Sequence, residues 1–341
     1  MHNSLDLFAR KVREQGKSWI DLEDAERDAL AENCVTEVVE KSGETILLSS
    51  ARNAYIINRV KRMVKRSVWA LQNQLKQGEF YPALTEWAFG EKDNIDSLNF
   101  DLAAGQKLYL KGRIDRIDVC QDKENHLYVK VIDYKSGTTQ LDLIKLYYGL
   151  QIQLALYLNA ALELEKKRFP DKIVQPAGVF YYNTKDPILN KEDVKNPENP
   201  QEEILKKLKM DGICSSEPEI LQKLDKNLAV GKSVESFAVP VKYTAKGTFS
   251  SNSKVANQKE FAIMMEYVQD KAKKIGREIL KGNTSVNPFE WKKENACEYC
   301  PYKEICGFDE KLPGYEYRKL EKDKSSNLWC LMEEEMERGE K

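Results

Sequence analysis

The sequence predicts a mixed α/β fold, a β-sheet flanked by helices, with a helical N-terminal region and an insertion. Two β-branched runs, Tyr109 to Asp118 and Val129 to Gly137, are joined by the short polar link Gln121 to Asn125 and read as an antiparallel hairpin. A helix from about Leu143 to Lys167, followed by the apolar strand Ala177 to Tyr182, makes a strand-helix-strand crossover beside that hairpin. Amphipathic helices stand before and after this centre.

In chain order, residues 1–83 read as helical. Leu5, Phe8 and Val12 share one face, as do Ala29, Leu30, Cys34 and Val38 on a second helix. A third helix starts at Ser49 or Ser50, a good N-cap, and runs to Gly78 with Ile56, Val60, Met63, Val64, Val68, Leu71 and Leu75 as its stripe. Residues 84–183 form the α/β core, opening with the strand Leu84 to Phe89 and a polar Asp/Asn-rich loop. Residues 184–256 are polar and Pro-interrupted, with a short helix near Glu202 to Lys209 and a strand piece at Ala238 to Val241, and read as an insertion. Residues 257–341 hold a strong amphipathic helix, Gln258 to Lys281 with Gly282 as its stop, a cysteine segment and a charged tail.

The hairpin carries the chemistry. With a side-chain period of two, Asp133 and Lys135 share a face, and antiparallel pairing brings Asp115 beside Asp133. Adjacent carboxylates repel unless a cation lies between them, and oxygen ligands suit Mg²⁺ or Mn²⁺. A lysine two residues on can orient or deprotonate water, or balance phosphate charge. Gln153 and Tyr157, four apart on one helix face, are either substrate contacts or a semi-buried pair. Glu86 either approaches the same metal or, as for most lone strand glutamates, is exposed. Arg59, Arg62 and Arg66 make the third helix basic, which suits a phosphate-tracking surface or a plain solvated face.

Cys297, Cys300 and Cys306 form a C-x2-C-x5-C array that can hold three corners of a Zn²⁺ or iron-sulfur centre, with no fourth ligand nearby. With 54 Lys+Arg against 55 Asp+Glu, an anionic partner must be met by local basic clusters. Seven unpatterned cysteines and no long apolar run point to a cytoplasmic chain without a membrane span.

Together Gly112-Arg113-Ile114-Asp115, Ile132-Asp133-Tyr134-Lys135-Ser136-Gly137 and Gln153-Leu154-Ala155-Leu156-Tyr157 resemble the G-x-x-D, D-Y-K-[ST]-G and Q-x-x-x-Y motifs of RecB-like nucleases in the PD-(D/E)XK superfamily. Over nearly the whole chain the likeness is to the C-terminal nuclease domain of the B subunit of AddAB-type ATP-dependent helicase-nucleases. The resemblance implies a restriction-endonuclease-like core. It also implies a Mg²⁺- or Mn²⁺-dependent DNA exonuclease serving double-strand-break repair, with a helicase-nuclease A subunit and DNA as partners. By residue it implies His2, Asp115, Asp133 and the Tyr134 backbone carbonyl as metal ligands, Lys135 as the catalytic lysine, and Gln153 and Tyr157 as positioning groups. Cys297, Cys300 and Cys306 would be [4Fe–4S] ligands, and Arg59, Arg62 and Arg66 would contact DNA. The family's glycine before this histidine and its first cluster cysteine would precede Met1, so the chain reads as an excised domain whose cluster is incomplete or absent. No G-x4-G-K-[ST] loop occurs, so ATP hydrolysis must come from elsewhere. The rival readings are a DNA-end-binding or subunit-docking module without activity, and a stand-alone Cas4-like nuclease.

Overall fold

The structure is a computed structural model that describes residues 1–41, 50–90, 98–103, 105–190, 200–229, 231–292, 294–320 and 327–339. Ser49, most of the predicted Asp/Asn-rich loop, and Asn196, Pro197 and Asn199 lie outside them.

Three helices lead the chain: α1 (His2–Glu14), α2 (Asp24–Lys41) and α3 (Ala51–Gln77). The hydroxyl of Ser50 accepts the Asn53 N–H at the start of α3, satisfying one of the donors a helix start leaves open. Strand β1 (Tyr81–Phe89) follows, then the hairpin β2 (Asn99–Ala103) and β3 (Gln106–Tyr109). Next come β4 (Gly112–Gln121), β5 (His126–Lys135), α4 (Leu143–Tyr147), α5 (Gln153–Arg168) and β6 (Ile173–Asn183). Beyond them are α6 (Pro200–Lys207), β7 (Asp211–Ser215), α7 (Pro218–Leu224), the short pair β8 (Val234–Glu235) and β9 (Lys242–Tyr243), and β10 (Val255–Ala256). The long α8 (Gln258–Leu280) opens on a reciprocal cap between Asn257 and Glu260 and stops before Gly282 at φ +68°. A small lobe of β11 (Phe289–Trp291), β12 (Glu294–Asn295), α9 (Lys303–Cys306) and β13 (Arg318–Lys319) precedes α10 (Leu328–Gly339).

The main sheet runs β1-β4-β5-β6-β7-β10. The β4–β5 and β6–β7 pairs are antiparallel and the β5–β6 pair is parallel across the α4–α5 crossover. One face packs Ile132, Tyr134, Phe180 and Tyr182 on Val64, Val68 and Leu71 of α3. The other packs Val129, Val131 and Val179 on Leu154 and Leu158 of α5 and on Met264 and Val268 of α8. Among the described residues no helix is long and apolar enough to cross a membrane.

Four expectations change. Tyr109, at the head of the predicted active strand, ends β3 instead. The single helix over 143–167 is two, parted by Gly149 in the left-handed region at φ +81°. Segment 184–256 is no appendage, because β7 and β10 complete the main sheet. Ala238 to Val241 is buried but irregular; its Pro240 has no N–H for a ladder.

On the helical face the β4–β5 register is marked by a buried ionic group. Arg116 grips Asp118 with two bonds, Nε to Oδ1 at 2.5 Å and Nη2 to Oδ2 at 2.8 Å, and Lys130 Nζ lies 3.1 Å from Asp118 Oδ2. Arg116 also lies over the Trp19 ring at 5.0 Å. Burial opposes every charge here; even so the two cations hold Asp118 below the usual carboxylate range. A one-residue slip of β4 on β5 would turn Arg116 and Asp118 to the other face and leave Lys130 buried without its carboxylate. Asp118→Ala, which leaves two buried cations, is expected to lower stability by about 3–5 kcal/mol in urea unfolding. Lys130→Met is expected to cost much less, because the Arg116–Asp118 pair survives it. Equal losses would count against this account.

Candidate active site

The chemistry gathers where β4 and β5 part. Their backbone pairing runs from Gln121–Leu127 to Arg116–Ile132 and ends one step short of Asp115 and Asp133. There Asp115 replaces the ladder: its Oδ2 accepts the Tyr134 N–H at 2.6 Å, and its Oδ1 lies 3.2 Å from His2 Nδ1. The same side chain thus ties β4 to β5 and to the first turn of α1. Hydrogen bonding to Asp115 raises the His2 pKa, against partial burial that would lower it.

Asp133 and Lys135 continue the face of Val129 and Val131, as strand periodicity requires. Lys135 Nζ lies 2.6 Å from Asp133 Oδ2 and 3.5 Å from Gln153 Oε1, while the Gln153 amide donates to the Tyr157 hydroxyl at 2.8 Å. The predicted helix pair therefore faces the predicted lysine. Burial raises the Asp133 pKa, Lys135 opposes that, and the charge of Asp115 adds to it. The Tyr157 ring meets Phe89 edge-on at 5.8 Å, and both crowd Gly112: a Cβ there would stand 2.5 Å from Phe89 and 3.1 Å from Tyr157. Hence the glycine of the G-x-x-D run lets β4 pass beneath the two rings.

Glu86 is the residue that sequence reasoning undervalued. On either side of it Thr85 pairs with Arg116 and Trp87 with Ile114, which sets Glu86 opposite Asp115. A glutamate at φ +47° inside a strand is strained, of order 1–3 kcal/mol, and such outliers cluster at functional sites. Burial raises its pKa, and the Asp115 charge adds to that, while Arg113 at 3.3 Å opposes it. Its position opposite Asp115 depends on β1 pairing with β4, which the residues around Glu86 do not reveal.

Among the described residues, His2, Glu86 and Asp115 are the group whose ligand atoms all lie within 4.8 Å of one another. Glu86 Oε1 is buried without a hydrogen-bond partner, and so is Asp133 Oδ2, which has the Lys135 charge close by but no hydrogen-bond geometry. An unpaired carboxylate oxygen within that group, Glu86 Oε1, with a second on neighbouring Asp133, suits a hard divalent cation. Glu86 thus comes together with the expected His2 and Asp115, and the expected Asp133 stands beside them with Oδ2 against Lys135. For Tyr134 the contact seen at Asp115 is through its N–H.

Other expected site residues stand apart. Arg62 and Arg66 each lie 3.7 Å from Asp186, and Arg66 also lies over Trp69 at 5.2 Å. Arg59 is exposed. Cys297 and Cys300 are half-buried and Cys306 is exposed, all free, in the small C-terminal lobe.

A central hairpin that opens onto an Asp and an Asp-x-Lys, served by a crossover helix, is the architecture of a PD-(D/E)XK nuclease. The family model for the PD-(D/E)XK nuclease superfamily matches residues 1–307, and the chain belongs to that superfamily. It is 39% identical, over 98% of its length, to the B subunit of the ATP-dependent helicase/deoxyribonuclease of Lachnoclostridium phytofermentans. It is 37% identical over 96% of its length to the same subunit from Alkaliphilus metalliredigens, and 34% identical over 100% to that from Clostridium acetobutylicum. The chain spans 28% of the first two relatives and 29% of the third.

The Asp115 contact makes one direct forecast. His2 is expected to titrate above an ordinary histidine by NMR, and Asp115→Asn to bring it back. Since the raised value favours the charged imidazole, the pair stabilises at low pH, and that contribution fades as pH rises through the His2 value. An unshifted His2 would remove the contact.

Proposed function

We propose that this chain is a metal-dependent deoxyribonuclease, the nuclease part of an ATP-dependent helicase/deoxyribonuclease B subunit. In this reading it degrades DNA strands exonucleolytically in the cytoplasm during double-strand-break repair. The observation that carries the reading is the row Glu86, Asp115 and Asp133 across three neighbouring strands, with His2 and Lys135 at its edge.

His2, Glu86, Asp115 and Asp133, with the Tyr134 backbone carbonyl, would hold Mg²⁺ or Mn²⁺. Such a cation polarises a phosphoryl oxygen and lowers the pKa of water at neutral pH. Asp115, fixed through both oxygens, holds its carboxylate in one orientation. Lys135 sets an ammonium beside Asp133, where it orients the attacking water and offsets charge growing on the phosphate. Gln153, fixed by Tyr157, keeps that ammonium from swinging toward solvent. A proton on His2 competes with the cation, so acid weakens the site.

Cleavage without sequence preference suits a strand delivered by a motor, and the names of the relatives supply the motor's class: an ATP-dependent helicase. The A subunit of such an assembly and DNA are the partners proposed. Cys297, Cys300 and Cys306 fit three thiolate positions of a [4Fe–4S] cluster, whose part would be to staple the lobe rather than to act in cleavage. Arg59, Arg62 and Arg66 would meet phosphate, the last two by exchanging Asp186 for it.

Lys135→Ala and Asp133→Ala are each expected to reduce Mg²⁺-dependent degradation of linear DNA by more than about 100-fold without loss of helical signal. Glu86→Gln is expected to raise the Mg²⁺ concentration needed, and chelation with EDTA to stop cleavage in every variant. Undiminished cleavage by the Lys135 variant would refute the reading.

A further inference from the structure

A cleft of about 1150 Å³ begins two residues beyond Lys135, at Gly137, and catalysis as derived above makes no use of it. One wall is the loop after β5 with Thr138, Thr139 and Lys145. The facing wall comes from the cysteine lobe, with Trp291, Lys292, Glu294 and Tyr299, and Trp329 of α10 also lines the space.

The first wall is built in advance. The Asn183 side chain accepts the Thr139 N–H at 2.8 Å, Asp211 accepts the Leu141 N–H at 2.7 Å, and Lys254 spends its ammonium on Asp211 and the Leu141 carbonyl. A loop fixed residue by residue next to a reacting centre gives a bound chain a rigid surface. The second wall is aromatic and cationic. Lys292 lies over the Trp291 ring at 4.9 Å, and Tyr299 stands 89% exposed, a large ring at the rim with little packed on it. Across the gap Lys145 and Glu294 form an ion pair of 2.5 Å that links the core to the lobe.

Trp291 itself is buried, so the faces this lining offers a ligand are the exposed Tyr299 ring and the partly buried Trp329, with the exposed Lys292 in the same wall. An unpaired base can stack on such a ring because every base has a face to stack. A duplex keeps those faces inside. The volume exceeds the roughly 300–1,000 Å³ of a pocket for one drug-sized molecule, so more than one nucleotide fits. The geometry points to this cleft as the seat of single-stranded DNA flanking the bond to be cut. Bases stack on Tyr299 and Trp329, and a phosphate takes Lys145 from Glu294. The assignment rests on the nuclease reading and specifies how its substrate is held.

Fluorescence anisotropy of a labelled oligothymidylate on the intact chain in EDTA tests it, with a blunt duplex as second probe. Tyr299→Ala is expected to weaken single-strand binding about tenfold and Tyr299→Phe to restore it. Glu294→Gln is expected to tighten binding several-fold, a gain that a damaged fold cannot imitate. Unchanged single-strand affinity in both Tyr299→Ala and Glu294→Gln overturns the assignment, and so does an equal loss on duplex and single strand. Metal-dependent cleavage by Lys135→Ala is measured alongside. If that variant is inactive while the cleft variants bind normally, only the cleft assignment falls. If it cleaves normally, the nuclease reading falls first.

Discussion

Three carboxylates in a row across β1, β4 and β5 are the constraint on which the site depends. Glu86 faces Asp115, and Asp115 stands next to the end of β5 at Asp133. Like charges on neighbouring strands destabilise a sheet, and partial burial worsens the repulsion. The structure answers in part with His2, Lys135 and Arg113, each on one carboxylate. Two carboxylate oxygens still have no hydrogen bond. A divalent cation would relieve that remaining repulsion, and it is the cation on which the proposed chemistry rests.

Such a row needs firm support from the other side of the sheet. The Arg116, Asp118 and Lys130 group lies one residue away from Asp115 in the strand alternation, facing the N-terminal helices, and makes any slip of β4 on β5 costly. Parting of the strands begins where this group ends. Asp115 then substitutes a side-chain bond for the missing ladder bond and draws α1 onto the site through His2. The crossover supplies Gln153 and Tyr157 from the opposite face, with Gly112 allowing the rings of Phe89 and Tyr157 to close over β4. The site is therefore assembled from both cores of the domain.

Much of this was legible in the residues. Period-two alternation set Asp133 and Lys135 on one face, and helical spacing set Gln153 over Tyr157; both follow from local geometry and both hold. The amphipathic stripe of α1 holds for the same reason, as do those of α3 from Val64 to Leu75 and of α8 from Phe261 to Ala272, whereas Ile56 of α3 and Ile275 and Ile279 of α8 are exposed. What local pattern does not carry is partner choice. Glu86 looked like an ordinary exposed strand residue because nothing near it reveals that β1 pairs with β4. Segment 184–256 looked like an insertion because its two sheet strands are short, five residues in β7 and two in β10, and are separated by irregular chain. Gly149 was available as a helix break, but the apolar residues on both sides continued the period and concealed it.

Thermal unfolding with and without divalent cation tests the central claim most directly, because it reads the relief of carboxylate repulsion without requiring catalysis. Millimolar Mn²⁺ is predicted to raise the midpoint of the parent chain and to raise it much less in Asp115→Asn and Glu86→Gln, whose rows have already lost a charge. An equal shift in all three proteins, or none in the parent, would contradict the account.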